Sequence, residues 1–504
     1  MPLLPLARSL SRSVLRLTSI FGSAALLASC GGGGSSGGSP FDIGLPSSAS
    51  LAQQCAMPRP TDAQGSLATE KAFLRSWIDE TYLWYQDVRV LPATTLDATV
   101  YATPLDYFAV LKTPLTTASG KAKDHFHFTY DTPTWIALST AGVSFGYGFG
   151  VALVAAKPPR VAMVGFLEPG TTPASANMIA RGAAILTVDG VDVANGTDLA
   201  TLNEGLFPTR TAAHTFVIQD LGAASTRTVM LTAQPITETP VQFVKTLPAP
   251  NASVGYMLFN DHIATAESEL VAAINQLKSA GVTDLVLDLR YNGGGYLDIA
   301  AELAYMIAGQ TNTNGKFFEQ LAFNNRNPFP AVTTNFPSMG QGFTVGTSTT
   351  LPFLGLNRVY VLTSPETCSA SEAIINGLRG ADITVNLIGG QTCGKPYGFY
   401  PKDNCNTTYF AIQFQGVNNK GFGDYPDGLP PTCAVADDFT HALGDPAEHQ
   451  LEVALALRNS GGTCITPTSV AARGLSASRS LADAPTGAAL VRSPFRENRI
   501  YRPQ

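Results

Sequence analysis

The fold of this chain is decided by Asp284-Leu285-Val286-Leu287-Asp288-Leu289-Arg290-Tyr291-Asn292-Gly293-Gly294-Gly295. The first half of this stretch is a short, nearly continuous apolar run, which predicts a strand buried on both faces, and the three glycines predict a tight turn. Helical patterns lie on either side, over 264–279 and 296–307. A helix, a buried strand, a turn and a second helix in this order predict an α/β domain.

A second stretch carries the candidate chemistry. The β-branched run 359–362 is followed by Thr367-Cys368-Ser369-Ala370-Ser371-Glu372, so Ser369 lies where a predicted helix begins, and Lys395 follows 26 residues later. A serine at a helix start with a lysine from a later loop can form a nucleophile without histidine. Alternatively, Ser369 and Glu372 form only a capping box and Lys395 is a solvated surface residue. If the two side chains meet, the protein is a serine hydrolase; otherwise it is a binding protein.

Length and composition limit the classes of protein that the chain can form. Its 504 residues, 45% hydrophobic and 14% charged, are enough for roughly three to four domains with sizeable cores. The net charge of −6 is spread along the chain without a long basic block, so nucleic acid is not an expected partner. After the N-terminus, no segment has the ~18 uncharged apolar residues needed to span a bilayer.

The N-terminal sequence has the pattern of an export signal. Three basic residues precede a mainly apolar run over 17–28, as is typical of a signal peptide. The basic residues are Arg8, Arg12 and Arg16. Leu27-Ala28-Ser29-Cys30 resembles the lipobox of bacterial lipoproteins, which implies that residues 1–29 are removed and that Cys30 is lipidated. The alternative is an ordinary secretory signal that is cleaved near Ala28.

Residues 30–49 follow as a Gly/Ser-rich tether. Gly31 occupies the position where an inner-membrane retention signal would usually have Asp. We therefore expect an exported outer-membrane lipoprotein that faces the periplasm or the cell surface and contacts the membrane through its lipid anchor.

Export makes the cysteines candidates for disulfide bonds. Removal of Cys30 leaves six, which permit up to three disulfides and 15 connectivities. The six are Cys55, Cys368, Cys393, Cys405, Cys433 and Cys464. If Ser369 and Lys395 meet, their neighbours Cys368 and Cys393 should be close enough to form a bond that joins the two loops. The spacing that zinc requires is absent, so we expect no metal site.

Shifts in composition divide the chain further. Residues 50–135 are predicted to form a small helical domain, 136–236 a β-rich domain and 240–460 the largest, α/β domain. A long polar insertion over 310–356 interrupts the last of these. The tail over 465–504 has no strong hydrophobic periodicity and is expected to be poorly ordered.

The β-rich region resembles a PDZ domain. The resemblance rests on Ser144–Val151, on Pro173–Ala176 and on the run from Ile179 to Val191. It implies that Gly148, Phe149, Gly150 and Val151 bind a peptide C-terminus through backbone N–H groups, while an edge strand pairs with the peptide. Ala183 departs from the family, which usually has Asp at this position.

The largest region resembles the C-terminal processing (tail-specific) proteases, which are serine peptidases of family S41. Four motifs match in order. They are Asp288-Leu289-Arg290-x-Asn292-x-Gly294-Gly295, Ser369-Ala370-Ser371-Glu372, Gly389-x-x-Thr392-x-Gly394-Lys395 and Gly423-x-x-Pro426-Asp427. The resemblance implies a crotonase-like α/β domain preceded by a PDZ domain, and covers about residues 140–460.

The resemblance also assigns roles to individual residues. It implies that Ser369 is the nucleophile and Lys395 the general base, and that Gly294, Gly295 and Ala370 supply the backbone N–H groups of an oxyanion hole. Burial can disfavour the ammonium form of a lysine and so allow it to accept a proton. Arg290 and Asn292 are expected to brace the turn rather than to touch substrate.

One departure leaves the activity open. Related proteases commonly have Gln four residues after the lysine, whereas this chain has Phe399. Either another group orients Lys395, or the base is weaker, or activity has been lost. The sequence thus predicts a serine endopeptidase that cuts exported proteins or peptides with no metal or organic cofactor. The alternative is an inactive lipoprotein of the same fold that binds a peptide or an apolar ligand.

Overall fold

The computed structural model describes residues 44–171, 178–329, 332–467 and 499–500, and the structural statements below concern these residues. The export signal and Cys30 lie outside them, as does most of the tail over 465–504. The chain divides into two compact units, and all elements described here belong to the second, Pro46–Gln504. No helix in the described part of the chain is long and apolar enough to cross a membrane.

The first part of the chain is mainly helical. Side-chain caps start several of its helices; for example, the Ser66 hydroxyl accepts from the Thr69 N–H, and Thr103 and Asp106 form a capping box. These side chains satisfy donors that the first helical turn leaves without partners. The elements are α1 (Ser48–Leu51), β1 (Gln54–Cys55), β2 (Ala63–Gln64), α2 (Leu67–Thr81), α3 (Tyr85–Arg89), α4 (Ala93–Leu96), a 3₁₀ turn (Ala98–Val100), α5 (Pro104–Val110), β3 (Phe128–Asp131) and α6 (Thr132–Ala141).

This helical part shares its core with residues far along the chain. Phe73 and Trp77 on α2 lie in the same buried cluster as Phe410 and Ile412. Strand β3 pairs antiparallel with residues 407–410, and a disulfide joins Cys55 to Cys405. The aromatic side chains of the predicted helical domain are therefore core residues that pack against the α/β part.

The next part is built from antiparallel strands. One sheet has the order β10-β9-β7-β6-β5, with β8 paired to β7, so β5 lies at its edge. A separate pair joins β4 to β11. The elements are β4 (Val143–Gly146), β5 (Phe149–Ala155), β6 (Val161–Leu167), β7 (Ala184–Val188), β8 (Val191–Asp192), α7 (Leu199–Leu206), β9 (Ala213–Gln219), β10 (Arg227–Thr232) and β11 (Gln234–Thr237).

The remaining elements form the α/β part. Its helices are α8 (Ala266–Ser279), α9 (Leu297–Thr313), α10 (Ala370–Gly380) and α11 (His449–Ser460). Its strands are β12 (Val241–Thr246), β13 (Val254–Phe259), β14 (Asp284–Asp288), β15 (Gly295–Tyr296), β16 (Phe317–Phe323), β17 (Val332–Asn335), β18 (Arg358–Thr363), β19 (Thr384–Gly389), β20 (Tyr397–Gly398), β21 (Lys402–Asn404), β22 (Thr407–Phe410), β23 (Phe414–Val417), β24 (Cys433–Ala434) and β25 (Arg499–Ile500).

A six-stranded sheet with the order β12-β13-β14-β18-β19-β24 forms the centre of this part. Strand β12 is antiparallel to β13, and the other neighbours are parallel. Every residue of β13 and β14 is buried. Parallel sheets are normally covered on both faces, which explains the uninterrupted apolar runs. The α/β prediction for the region around Asp284 is confirmed.

The sheet brings the predicted site residues to one edge. Gly294, Ser369 and Lys395 each lie six residues beyond the end of a strand, namely β14, β18 and β19. These strands are parallel neighbours, so their carboxyl ends lie side by side. In open α/β sheets, ligands bind outside the carboxyl ends of the strands.

Candidate active site

Ser369 lies between the loop that follows β18 and helix α10. Its φ of 61° and ψ of −111° are outside the conformations that non-glycine residues usually adopt. The side chain is fully buried, and its Oγ has no hydrogen-bond partner among the described residues. Such backbone strain costs about 1–3 kcal/mol and is concentrated at functional sites. These properties make the Ser369 hydroxyl a candidate nucleophile.

The carboxylate of Glu372 joins the loop of Ser369 to the loop of Lys395. Its Oε2 accepts the Ser369 N–H at 2.9 Å and the Lys395 N–H at 2.8 Å. Its Oε1 accepts the Gly394 N–H at 2.9 Å and the Thr392 hydroxyl at 2.5 Å. The bond from the Ser369 N–H is the one that a glutamate at the third helical position makes in a capping box, so helix capping and assembly of the candidate site use the same carboxylate.

Glu372 is completely buried, and its charge depends on these donors. Burial raises the pKa of the Glu372 carboxyl, whereas the hydrogen bonds from Thr392, Lys395, Ser369 and Gly394 oppose the rise. Desolvation disfavours the charged form of a carboxyl, and donors stabilise it. Loss of one donor would therefore destabilise the charged form of Glu372, whose hydrogen bonds hold the two loops together.

A disulfide ties the same two loops together. Cys368, next to Ser369, is bonded to Cys393, two residues before Lys395, and their Cα atoms are 5.1 Å apart. This pairing is the one that the sequence predicted, and it is confirmed. The other pairs are Cys55–Cys405 and Cys433–Cys464, so the structure uses all six cysteines that remain after Cys30.

Lys395 is fully buried, and its Nζ lies close to two aromatic rings. Its Nζ lies 4.6 Å from the ring centre of Phe126 and 4.7 Å from that of Phe399. Phe399 packs in turn against Phe128 and Phe410. The phenylalanine that stands in place of the usual glutamine is therefore part of an aromatic wall around the candidate base.

The predicted oxyanion glycines differ in the availability of their N–H groups. The Gly294 N–H donates to Asn292 Oδ1 at 2.9 Å, so it already has an acceptor. The Gly294 carbonyl accepts from His262, and Tyr296 N–H donates to the His262 carbonyl. Because backbone groups alternate along an extended chain, the N–H and C=O of Gly295 point away from His262. Gly295 is thus the better-oriented donor of the two.

Gly295 can adopt this position only as a glycine. Its φ is +136°, and a Cβ atom there would lie 2.4 Å from the carbonyl oxygen of His262. The second expected donor, Ala370, is the first residue of α10. The first N–H groups of a helix have no acceptor within the helix, and the helix dipole favours negative charge at this end. Gly295 and Ala370 can therefore both stabilise an oxyanion.

His262 supports the glycine turn and was not anticipated from the sequence. It is fully buried, and its Nδ1 lies 3.0 Å from Asn292 Oδ1, the atom that also accepts from Gly294. Asn292 Nδ2 donates in turn to the Phe259 carbonyl. Burial lowers the pKa of His262 to about 3, so its imidazole is neutral at pH 7 and donates through Nδ1. No motif surrounds His262, so the sequence contained no signal for this role.

Arg290 braces the start of the same turn. Its guanidinium contacts three carboxylates, those of Asp288, Asp437 and Glu448. The contact with Glu448 is bidentate, at 2.8 and 3.0 Å. The Arg290 side chain is fully buried, and its N–H groups donate to these carboxylates. This arrangement agrees with the expected bracing role.

The fourth motif supports the lysine loop. A Cβ atom at Gly394 would lie 2.3 Å from the Pro426 carbonyl oxygen, and the φ of Gly394 is +90°. Asp427 accepts from the Thr117 hydroxyl at 2.6 Å, which ties this loop to the helical part. The motif thus fixes the path of the chain before Lys395.

The residues predicted to bind a peptide C-terminus lie elsewhere. Gly148 has a φ of +83°, its carbonyl accepts from the Glu168 N–H, and Phe149, Gly150 and Val151 begin the edge strand β5. Further along β5, the Leu153 N–H donates to Glu366, in the loop that leads to Ser369. Strand β5 therefore belongs to a different sheet from the strands that precede Ser369 and Lys395, and Leu153 connects it to the loop that leads to Ser369.

One group of potential metal ligands occurs in the described part of the chain, formed by Cys368, Glu372 and Cys393. Both sulfur atoms belong to the disulfide, so neither is a thiolate, which is the form that binds metal. The group therefore acts as a cross-link between loops.

The fold and the site define an α/β protein whose buried serine and lysine are held on adjacent loops. A family model described as Peptidase family S41 matches residues 253–401, which include the glycine turn, Ser369 and Lys395. The chain therefore carries a peptidase family S41 domain, as its motifs predicted.

Curated proteins of related sequence are processing proteases. A carboxyl-terminal-processing protease of Picosynechococcus sp. is 27% identical over 263 residues, which cover 52% of this chain and 56% of the relative. The chloroplastic C-terminal processing peptidase of Tetradesmus obliquus is 35% identical over 136 residues, or 25% of this chain and 29% of the relative. The chain spans about half the length of the first relative and less of the second.

A solved structure shares the fold over most of the chain. The crystal structure of a protein assigned as an S41 protease from Bacteroides fragilis superimposes with a TM-score of 0.58 and 22% identity. The match covers 78% of this chain and 98% of the other. At this level of identity the similarity concerns the fold.

Proposed function

We propose that this protein is a serine endopeptidase of the C-terminal processing type that cuts exported proteins or peptides. The observation that carries the proposal is the convergence of the Ser369 and Lys395 N–H groups on Glu372 Oε2, beside a buried serine hydroxyl without a partner among the described residues. The S41 domain match and the processing-protease relatives support the same reaction class.

In the first step, Ser369 Oγ attacks the carbonyl carbon of the scissile bond, and its proton passes to the neutral amine of Lys395. The carbonyl oxygen becomes an oxyanion, which accepts hydrogen bonds from the N–H groups of Gly295 and Ala370. The tetrahedral intermediate collapses as its C–N bond breaks, and Lys395 returns the proton to the leaving amine. The product of this step is an ester between Ser369 and the acyl part of the substrate.

In the second step, water hydrolyses this ester. Lys395 takes a proton from the attacking water, and the same two N–H groups stabilise the second oxyanion. When the intermediate collapses, the proton returns to Ser369 Oγ and a carboxylic acid leaves. Glu372 and the Cys368–Cys393 bond contribute by keeping the two reacting side chains on fixed loops.

A second candidate function is ligand binding by an inactive protein of the same fold. The observation in its favour is the position of Lys395 Nζ against the rings of Phe126 and Phe399. Aromatic faces attract an ammonium ion, and a lysine that keeps its proton cannot act as a base. In this case the cleft would hold a peptide or an apolar ligand without cutting it.

The remaining assignments belong to the same proposal. The domain over 240–460 has the crotonase-like arrangement, the region over 136–236 is PDZ-like and presents substrate tails, and Cys30 carries a lipid that anchors the protein in the outer membrane. Three disulfides support an oxidising compartment such as the periplasm.

The test compares cleavage of an unfolded protein by the wild type with that by Ser369→Ala and Lys395→Ala. Both substitutions should abolish turnover while the protein stays folded, because each removes one reacting group. Lys402→Ala, which changes a lysine on β21, is the matched control and should retain activity. Labelling with a fluorophosphonate should modify Ser369 in the wild type. Equal cleavage by the wild type and both variants would exclude the Ser–Lys pair, and an unreactive, inactive wild type would favour the binding function.

A further inference from the structure

A strand from the far end of the chain lies beside the glycine turn. Strand β25, Arg499–Ile500, pairs in parallel with β15, with Gly295 opposite Arg499 and Tyr296 opposite Ile500. The same segment also contacts β20, Tyr397–Gly398. It therefore lies between the glycine turn and the strand that begins two residues after Lys395.

The orientation of Gly295 shows which backbone groups meet this segment. On one side of β15, the Gly294 carbonyl and the Tyr296 N–H are bonded to His262. The alternation of backbone groups directs the N–H and C=O of Gly295 to the other side, where β25 lies. The N–H group proposed to stabilise the oxyanion thus faces the segment 499–500.

The nucleophile loop adjoins the same turn. The Asn292 carbonyl accepts from the Cys368 N–H at 3.1 Å and from the Ser371 hydroxyl at 3.0 Å. These bonds place the residues on both sides of Ser369 against the turn that β25 borders. A peptide strand in the position of β25 therefore crosses the candidate catalytic centre.

We propose that the groove between β15 and β20 binds an extended peptide by parallel pairing with Gly295–Tyr296, and that strand β25, Arg499–Ile500, occupies it as a built-in competitor of substrate. The inference rests on the proposed peptidase function. Addition of a strand to an exposed edge is a general mode of peptide recognition, in which main-chain hydrogen bonds supply affinity. A segment on the same chain competes at an effective concentration on the order of millimolar, so it restrains the enzyme until substrate displaces it.

The test uses Ile500→Pro in the full chain. The pattern of pairing directs the Ile500 N–H to the Gly295 carbonyl, and proline lacks this N–H. We expect kcat/KM for an unfolded protein substrate to rise severalfold. Ala488→Pro places the same residue elsewhere in the tail and should leave kcat/KM unchanged. A synthetic peptide of residues 495–504 should inhibit Ile500→Pro by raising KM without changing kcat. Unchanged kinetics in Ile500→Pro together with no inhibition by the peptide would overturn the proposal.

A second measurement separates this inference from the proposed function. Hydrogen–deuterium exchange of the amides in 290–298 and 396–399 reports occupancy of the groove without any turnover. In a Ser369→Ala background, Ile500→Pro should accelerate this exchange, and the 495–504 peptide should slow it again. If the wild type proves inactive but these exchange changes occur, the groove assignment stands and the peptidase function fails. If exchange is the same in both forms, the segment does not occupy the groove.

Discussion

At the scale of single residues, the candidate site depends on a carboxylate that takes no direct part in the proposed reaction. Glu372 accepts four hydrogen bonds, and two of the donors are the backbone N–H groups of Ser369 and Lys395. A carboxylate can accept at both oxygens, whereas an amide offers one oxygen and places N–H groups against the other donors. The relative position of the two loops that carry Ser369 and Lys395 therefore depends on the charge and shape of one side chain.

This dependence predicts the outcome of Glu372→Gln. We expect kcat to fall about 10- to 100-fold with little change in KM, because a buried donor left without an acceptor costs about 1–3 kcal/mol and the two loops shift. The measurement is steady-state cleavage of an unfolded protein together with the rate of fluorophosphonate labelling. Glu302→Gln, a buried glutamate outside the site, is the control and should keep its labelling rate. Equal labelling rates in Glu372→Gln and the wild type would contradict the positioning role.

The sequence predicted those site residues that belong to motifs. Ser369, Lys395, Gly295 and Ala370 were expected from four ordered motifs, and their arrangement at the edge of one sheet follows from parallel strands. The roles of His262 and Asn292 could not be predicted in detail, because a hydrogen bond between side chains in loops that follow separate strands leaves no local pattern. For the same reason, the sequence did not separate Gly294, whose N–H is already bonded, from Gly295.

At the scale of elements, the short loops after β18 and β19 are joined by a disulfide as well as by Glu372. A cross-link that closes a loop of this size stabilises the folded state by about 3 kcal/mol, chiefly by restricting the unfolded chain. The Cys433–Cys464 bond closes a loop of similar length, with a sequence separation of 31 against 25 for Cys368–Cys393. The two bonds thus form a matched pair, of which one is next to the candidate site.

We expect Cys368→Ser/Cys393→Ser and Cys433→Ser/Cys464→Ser to lower the free energy of unfolding by similar amounts. Only the first pair should also lower kcat, on the order of 10- to 100-fold, because misplacement of the reacting groups is costly. Chemical denaturation and steady-state kinetics measure the two effects. A comparable fall in kcat in both double variants would show that the bond near Ser369 acts through stability alone.

Buried glutamates join α8, α9 and the loop over 341–345. The Glu267 carboxylate accepts from four backbone N–H groups of this loop, those of Gln341, Gly342, Thr344 and Val345. Glu302 lies beside it, and burial followed by the charge of Glu267 raises the pKa of Glu302 to about 9. The loop over 341–345, within the polar insertion, is therefore anchored to α8 by the Glu267 carboxylate.

The raised pKa of Glu302 predicts a dependence of stability on pH. Between its ordinary pKa of about 4.5 and about 9, the folded protein holds a proton that the unfolded chain releases. This contribution to stability is complete below pH 4.5 and is lost as pH rises through 9. In Glu302→Gln the fall in unfolding free energy between pH 6 and 9.5 should be smaller, as urea denaturation at several pH values will measure. The exposed Glu204→Gln should behave as the wild type, and identical profiles for Glu302→Gln and the wild type would contradict this assignment.

Elements with a local signal were predicted well. The helix expected over 264–279 is α8, the strand at Asp284 is β14, and the region expected to be β-rich contains β5, β6, β7, β9 and β10. The polar insertion over 310–356 was recognised only by its composition, and it contains β16 and β17. Strand β16 pairs with β23, nearly a hundred residues away, and such a partner cannot be read from a short window of sequence.

At the scale of the whole described molecule, the helical part contributes directly to the surroundings of Lys395. Phe126 covers its Nζ, β3 extends the sheet of β21 and β22, and the Cys55–Cys405 bond joins residues 350 positions apart. The composition of residues 50–135 indicated a separate small domain, because no sequence pattern in either segment shows that the two segments share a core. A core that is shared in this way should unfold as one cooperative unit.

The tryptophans make this expectation testable. All three, Trp77, Trp84 and Trp135, lie in the helical part or at its border, so their fluorescence reports on that part. Fluorophosphonate labelling of Ser369 reports on the α/β part. We expect both signals to be lost at the same denaturant concentration. Truncation of a buried phenylalanine costs about 3–5 kcal/mol. Because the core is continuous, Phe126→Ala should lower the midpoints of both signals equally. Met230→Ala, at an exposed position in the β-rich part, should move neither midpoint. Loss of tryptophan fluorescence at a lower denaturant concentration than loss of labelling would mean that the helical part unfolds independently. The α/β part would then stay folded without the packing of Phe126 against Lys395.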